Sequence, residues 1–347
     1  MYKEAGKLFF FPTDLTTFMK SPFASWMQRL EVEVPLSAPE RDPESEITKS
    51  LSQKGYEHEQ KLLDDLIAQG LFVEEITDEL FAEEEHVTFS LKRKATSDAI
   101  RRKVDVVFQA ALEYGPFRGF ADFLIKRCDS SGQDYYEIWD TKLSSTVKPA
   151  HIIQLCCYTD ILIATYGFKP DSFCVVLGTG EHERLYIEDF FHYYLALKNR
   201  FLRFHDEFDE AKMPDPADSK SFGRWETFAL EQLEKRDHIS LVANITRTQV
   251  KKLCAIGIES REKLISSCHS DVNGIQVDIY EKLKRQAFLQ RETNGRIPPQ
   301  FEIKHTDQQS NLGLSLLPPH SDLDIFFDIE GYPLTKGGLE YLWVNRP

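Results

Sequence analysis

Polar residues that could do chemistry are concentrated between positions 122 and 158, where they interrupt apolar runs. Asp122 stands within one such run, and Asp140 and Lys142 close the next one. Gln154 and Tyr158 follow in a helical stretch. A charge in apolar surroundings costs several kcal/mol when it has no partner. A bound divalent cation is the simplest partner for these side chains.

The run that ends at Asp140, Thr141 and Lys142 predicts how these side chains are arranged. Alternate residues of a strand share a face, so the side chains of Asp140 and Lys142 point the same way. A neighbouring strand would bring the carboxylate of Asp122 beside that of Asp140. Two convergent carboxylates suit Mg²⁺ or Mn²⁺, and the backbone carbonyl of Thr141 is a further candidate ligand.

The rest of the set predicts the reaction. Lys142 would lie beside a metal-bound water, where an ammonium helps to orient or deprotonate the water and offsets phosphate charge. Gln154 and Tyr158 are four residues apart, so they project from one helix face and would hold this assembly. The combination predicts metal-assisted hydrolysis of a phosphodiester. The alternative for Asp140 and Lys142 alone is an ordinary ion pair at a strand end.

The composition bounds the class of protein. A chain of 347 residues has room for two domains, and its net charge of −14 argues against a surface that coats nucleic acid. Local basic runs at 92–94 and 101–103 are either phosphate contacts or solvated strand ends and loops. The cysteines lack the spacing of a zinc site. The absence of an apolar leader or span predicts a cytoplasmic protein without membrane contacts.

Hydrophobic periodicity predicts an α/β (α+β) domain with a mixed sheet flanked by helices. The helix patterns begin with a capped segment at 12–30 and a stronger one at 49–69, ended by a glycine. The expected strands are 103–111, 117–127, 134–142, 172–179 and 184–188, and the later helices are 148–166 and 188–213.

Breaks in composition predict four segments. Pro214-Asp215-Pro216 marks the end of a domain at 1–213. A small helical domain at 214–290 follows, in which 239–266 reads as two short helices around a tight turn. Residues 291–320 are polar and proline-rich, as in a linker. The last segment, 321–347, is an apolar strand with Asp328 and Glu330 on one face and a second strand that could pair with it.

These residues resemble the RecB-like branch of the PD-(D/E)XK nuclease superfamily over about residues 8–212. The resemblance implies a restriction-endonuclease-like sheet. It also implies a metal site in which an acidic residue on one strand, an acidic-x-Lys on the next and a Gln-x-x-x-Tyr helix converge. The matching positions are Asp122, Asp140, Lys142, Gln154 and Tyr158.

Two further positions bear on this resemblance. Many members carry a metal-binding histidine shortly after a glycine in an upstream helix, and Gly55-Tyr56-Glu57-His58 resembles that element. The alternative for His58 is a core histidine that is hydrogen-bonded on an apolar face. Iron–sulfur members place a cysteine before a proline in the first helix. Ser21-Pro22 stands there instead, which argues against an iron–sulfur cluster.

The later segments resemble two other modules. Residues 239–266 are similar to a helix-hairpin-helix, which holds DNA backbone through turn amides, although a plain helical hairpin is an equal alternative. The segment that carries Asp328 and Glu330 resembles the first motif of RNase H-like, DEDD-type exonucleases. The later carboxylates of that fold are absent from the sequence, so we expect an incomplete second site in a truncated domain.

The resulting expectation is a Mg²⁺- or Mn²⁺-dependent DNase that acts exonucleolytically on single-stranded DNA or duplex ends, in repair, recombination or defence. Asp122 and Asp140 would hold the metal, with His58 as a candidate third ligand. Family members of this arrangement often continue into a helicase, so a helicase or a missing C-terminal portion is an expected partner. The alternatives are a non-catalytic DNA-binding or scaffold subunit and an inactive fragment of a larger nuclease-helicase.

Overall fold

The computed structural model describes residues 1–81, 86–303, 316–332 and 339–345, and at 271, 326–332 and 339–345 it describes the backbone alone. The chain divides into two compact units, Met1–Gln232 and Leu233–Pro347.

A six-stranded sheet organises the first unit. The strands lie side by side in chain order, so every neighbour in the sheet is also a neighbour in the sequence. The first and fourth pairs are parallel and the others antiparallel, which confirms the predicted mixed sheet. The strands are β3 (Val73–Glu75), β4 (Val106–Tyr114), β5 (Phe117–Cys128), β6 (Asp134–Lys142), β7 (Ser172–Leu177) and β8 (His182–Tyr186). A separate hairpin precedes them, formed by β1 (Tyr2–Glu4) and β2 (Lys7–Phe9).

Helices flank this sheet, as predicted. In the described part of the chain, none of the helices is both long and apolar enough to cross a membrane. The helices that begin in the first unit are, in chain order, α1 (Pro12–Lys20), α2 (Pro22–Glu33), α3 (Glu46–Ala68), α4 (Phe89–Arg101), α5 (Pro149–Tyr166), α6 (Glu188–Asp206) and α7 (Glu226–Lys235).

The two faces of the sheet carry separate apolar cores. On one face, Leu62 and Leu63 of α3 pack against side chains such as Phe123 and Trp139. On the other face, α1, α5 and α6 contribute to a larger cluster that includes Leu155 and Phe201. Both layers remove apolar surface from water, which is the main favourable contribution to folding. The sheet is therefore a buried platform whose polar residues need specific partners.

The predicted helix at 12–30 is wrong as a single element, because the chain breaks at Ser21. Ser21 has an extended backbone and its side-chain oxygen accepts a hydrogen bond from the amide of Ala24 at 2.9 Å, which caps α2. Pro22 occupies the first position of α2, where its missing N–H has no cost. The end of α1 and the start of α2 therefore fall within one apolar stripe, and the stripe alone predicts a single helix.

The two basic runs lie in and directly after α4, a helix that the sequence analysis did not predict. Lys92 pairs with Asp78 at 2.5 Å, and its ammonium also lies over the ring of Phe120. The second run forms ion pairs throughout: Arg101 with Asp98, Arg102 with Glu74 and Lys103 with Asp134. Cations that already have carboxylate partners offer less to a phosphate, which favours a structural role for Lys92 and for the second run. The first run lies within a helix and not at a strand end or in a loop, as its structural alternative had it.

The first unit extends past the predicted boundary at 213. Trp225 and Ala229 are buried in a cluster with Phe23, Met27 and Leu30 of α2. The proline pair near 214 therefore interrupts the helices without ending the compact unit.

The second unit contains a small helical core and a hairpin. Its helices are α8 (Arg247–Cys254), α9 (Arg261–Ser266) and α10 (Val277–Thr293). In the turn after α8, the amides of Ile256 and Ile258 donate to the carbonyl of Leu253, and the amide of Gly257 donates to that of Cys254. Because these amides already have partners, the turn favours a plain helical hairpin over a backbone grip on DNA.

The hairpin near the end of the chain pairs β9 (Phe326–Tyr332) with β10 (Leu339–Asn345) in antiparallel register. β9 carries Asp328 and Glu330, whose side chains lie outside the described part of the structure. The predicted linker at 291–320 begins inside α10, and its residues 304–315 also lie outside the described residues.

Two glycines of the first unit should respond in opposite directions to alanine. A Cβ at Gly178 would lie 2.3 Å from the carbonyl oxygen of Leu143, whereas a Cβ at Gly55 in α3 would meet nothing within 4 Å. We expect Gly178→Ala to lower the free energy of unfolding by about 1–3 kcal/mol, because the backbone after β7 is displaced.

Gly55→Ala should raise the free energy of unfolding by about 0.5–1 kcal/mol, since alanine favours the helix. Urea denaturation of both variants measures the two effects. A neutral Gly178→Ala would show that the close approach to Leu143 is not maintained in solution.

Candidate active site

The predicted acidic strand positions are brought together where β5 and β6 separate. The ladder between the two strands stops at the pair Phe123 and Trp139. One residue further, the Asp122 carboxylate accepts hydrogen bonds from the Thr141 amide at 2.9 Å and from the Thr141 hydroxyl at 3.3 Å. Where the backbone pairing of β5 and β6 ends, the Asp122 side chain therefore bonds to β6 instead, which holds its carboxylate beside Asp140.

Asp140 is the most deeply buried member of the set, with 1% of its surface exposed. Its carboxylate forms an ion pair with the Lys142 ammonium on the same face of β6, as the strand period predicts. Gln154 of α5 approaches the other oxygen at a long 3.4 Å. Within the described residues, Oδ2 accepts no hydrogen bond of normal geometry, although the ammonium lies against it. This carboxylate has capacity for a further positive partner.

The charged groups of the site shift one another's pKa values. Burial raises the pKa of Asp140, the Asp122 carboxylate raises it further, and Lys142 opposes both effects. Burial alone would lower the pKa of Lys142, but Asp140 and Asp122 outweigh this effect and raise it above its usual value. Like charges gathered in a poorly hydrated site are what a bound cation stabilises.

A third carboxylate, Glu59 of α3, belongs to the same cluster and was missed by the sequence analysis. It is 9% exposed and accepts a hydrogen bond from the side chain of Gln109. Burial and then the Asp122 carboxylate raise its pKa to about 7. The signal in the sequence was its place three and four residues before Leu62 and Leu63, where an acidic residue enters the apolar face of the helix.

The strand β4 changes face at Gln109, the residue that contacts Glu59. Val106 and Phe108 belong to the core under α3, whereas Ala110 and Leu112 belong to the core on the opposite face. The change of face occurs at Gln109, whose φ of 53° lies in the left-handed region. Such a backbone costs a non-glycine residue about 1 kcal/mol or more. This cost is offset where the surrounding contacts, here the hydrogen bond to Glu59, hold the conformation.

His58 lies next to Glu59 but faces a different partner. Its Nε2 lies 3.2 Å from the backbone oxygen of Val176 in β7. Val176 pairs with Thr141 across the parallel ladder, so His58 is close to β6 without joining the carboxylates through a described contact. The roles of His58 and of the Thr141 carbonyl as metal ligands stay predictions.

Tyr158 of α5 contacts the strand that carries Asp122. Its hydroxyl donates to the carbonyl of Phe120 at 2.7 Å, two residues before Asp122. A Cβ at Gly119 would lie 2.9 Å from that hydroxyl oxygen, so glycine is required for the tyrosine to approach the strand. Burial, then Asp122 and Asp140, raise the pKa of Tyr158 well above its usual value. Tyr158 is thus a buried donor that positions β5.

The donor set suits a hard divalent cation. Together with Lys142, the three carboxylates carry a net charge of minus two when all are ionised, and oxygen ligands of this kind favour Mg²⁺ or Mn²⁺. Among the described residues, no group of three or more His, Cys, Asp or Glu side chains is already drawn together around one point as ligands of an ion. The fit therefore rests on the buried oxygen of Asp140 and on the crowding of like charges.

Comparison of the sequence with models of protein families and with curated proteins finds no match. The assignment of a function therefore depends on the arrangement of side chains in the middle of β5 and at the end of β6.

The raised pKa of Glu59 makes the stability of the metal-free protein depend on pH. Below pH 4.5, the ordinary pKa of a glutamate, the carboxyl is neutral in both the folded and the unfolded state. Between pH 4.5 and about 7 it is ionised in the unfolded state but remains largely protonated in the folded state. The folded state then binds more protons than the unfolded state, so the free energy of unfolding should fall as pH rises through this window. We expect a fall of about 2–3 kcal/mol from Glu59, and Glu59→Gln should remove this contribution while that of Asp140, whose pKa burial also raises, remains.

Urea denaturation in chelator at a series of pH values from 4 to about 8 measures this effect. Glu75→Gln, an exposed position at the end of β3, is the control and should retain the wild-type pH profile. An unchanged profile in Glu59→Gln would show that Glu59 is not the buried titrating group.

Proposed function

We propose that the first unit is a metal-dependent nuclease that hydrolyses phosphodiester bonds of DNA, with a RecB-like PD-(D/E)XK site on a restriction-endonuclease-like sheet. The observation that carries this proposal is the buried Asp140, which is paired with Lys142 and crowded by Asp122 and Glu59. A structural ion pair does not need two additional carboxylates. A site that receives a cation and a phosphate does.

Asp122 and Asp140 are the residues that would hold Mg²⁺ or Mn²⁺, and Glu59 would bind it from the side of α3. A divalent cation bound there would activate water and neutralise charge on the phosphate. Thr141 holds the Asp122 carboxylate in position through its amide and hydroxyl. This arrangement supports metal-assisted hydrolysis and explains why two neighbouring strands separate at this point.

Lys142 is the residue that meets the substrate. Its side chain is partly exposed while the carboxylate of Asp140 is not, so the ammonium lies between the buried charges and solvent. From there it can donate to phosphate oxygens and stabilise the charge that develops on them. Gln154 approaches Asp140, and Tyr158 fixes the strand that carries Asp122, so both act by positioning. The DNA-end preference and any helicase partner remain parts of the proposal.

Removal of either member of the central pair should abolish cleavage. We expect purified protein with Mn²⁺ to cleave labelled single-stranded DNA, and Asp140→Ala and Lys142→Ala each to lower the rate by about a hundredfold or more, because charge stabilisation at the phosphate is lost. Asp105 and Lys126 form a half-exposed ion pair of 2.6 Å at the other end of the sheet. Asp105→Ala and Lys126→Ala are matched controls and should keep the wild-type rate.

The outcomes separate the candidate functions. Cleavage that survives both substitutions would contradict the assignment of the site. Binding of DNA without cleavage, unaffected by either change, would support a non-catalytic DNA-binding or scaffold subunit. Replacing the DNA with an RNA of the same sequence determines the substrate preference.

The cation itself should stabilise the fold through the carboxylates. We expect Mn²⁺ at about tenfold its dissociation constant to raise the melting temperature by about 3–5 °C, because the ion binds the folded state alone. Asp122→Asn keeps an acceptor for Thr141 but loses the charge, so its shift should be much smaller. Asp105→Asn serves as the control and should show the full shift. Equal shifts in all three proteins would indicate ion binding elsewhere.

A further inference from the structure

His151 extends the functional stripe of α5 toward the start of the helix. It precedes Gln154 by three residues and Tyr158 by seven, so all three lie on one face. Gln154 approaches Asp140, and Tyr158 reaches the carbonyl of Phe120. The first turn of α5 therefore presents a histidine on the same side as the candidate active site.

The hydrogen bonding of the ring determines which nitrogen carries the proton. The backbone amide of Lys148 donates to Nδ1 of His151 at 3.2 Å, so Nδ1 is an acceptor and the neutral ring bears its hydrogen on Nε2. Among the residues that the structure describes, Nε2 has no hydrogen-bond partner. His151 thus offers a single N–H donor at the end of the ring that is not used to cap the helix.

The surroundings of His151 keep it neutral. Burial lowers the pKa of His151 to about 4, and the ammonium groups of Lys142, Lys148 and Lys20 contribute to this effect. A neutral imidazole near three ammonium groups remains a donor at physiological pH. The group that would accept from it and also suit the three cations is an anion with several oxygens.

We propose that His151 is a phosphate-binding residue whose Nε2–H donates to a non-bridging oxygen of the scissile phosphodiester, beside the Lys142 ammonium. This inference rests on the proposed nuclease function. It assigns the phosphate to the side of the site between β6 and the first turn of α5, while the carboxylates occupy the side toward α3. The competing explanation is that His151 only caps α5.

Three substitutions separate phosphate binding from capping. Glutamate at this position preserves the reciprocal cap with the Lys148 amide but replaces the donor with an acceptor. Glutamine preserves the cap and supplies an amide donor, and alanine removes both. We expect His151→Glu to raise KM for a single-stranded oligonucleotide by about tenfold or more, because the hydrogen bond to a charged group is lost and the new carboxylate repels the phosphate. Its melting temperature should remain that of the wild type.

His151→Gln should recover a large part of the affinity, and His151→Ala should lose both affinity and thermal stability. His192→Glu is the control, because His192 is exposed on α6. A wild-type KM for His151→Glu, or losses that follow the melting temperature across the series, would overturn the inference while leaving the nuclease proposal intact. A wild-type protein that neither cleaves the oligonucleotide with Mn²⁺ nor binds it with Ca²⁺ would instead contradict the proposed function.

Discussion

The candidate site depends on three carboxyl groups that are gathered away from water at the point where two central strands separate. Asp140 is almost fully buried, and Thr141 holds the Asp122 carboxylate beside it. Glu59 of α3 is the third carboxyl group of the cluster. One ammonium, that of Lys142, is paired with this group. Charges with too little water and too few partners are costly, so a fold retains them where a ligand completes the set. A divalent cation matches both the charge and the oxygen chemistry of this cluster.

Several local features meet at this cluster. Gln109 adopts a left-handed backbone and donates to Glu59, and the strand changes face at the same residue. Gly119 leaves space for Tyr158, which holds the strand just before Asp122. Apolar cores on both faces of the sheet keep the strands around this cluster in place. A well-packed sheet thereby supports a strained cluster of carboxyl groups between its central strands.

Local sequence patterns were sufficient to predict which site residues share a face when those residues lie on the same strand or the same helix. The alternation along β6 places Asp140 and Lys142 on one face, and the helical spacing places Gln154 and Tyr158 on another element's face. Glu59 escaped because its role depends on a helix far away in sequence that packs over the sheet. The break at Ser21 was not predicted because the apolar stripe continues across it. The helix α4 was not predicted because its sequence is rich in basic residues and its apolar face is weak.

The most direct test of this account is a crystal of the protein grown with Mn²⁺ and measured at a wavelength where manganese scatters anomalously. The account predicts a peak at about 2.1 Å from oxygens of both Asp122 and Asp140, with the Lys142 ammonium displaced from Asp140 toward solvent. It would be contradicted by manganese peaks confined to surface carboxylates, with the ion pair between Asp140 and Lys142 unchanged.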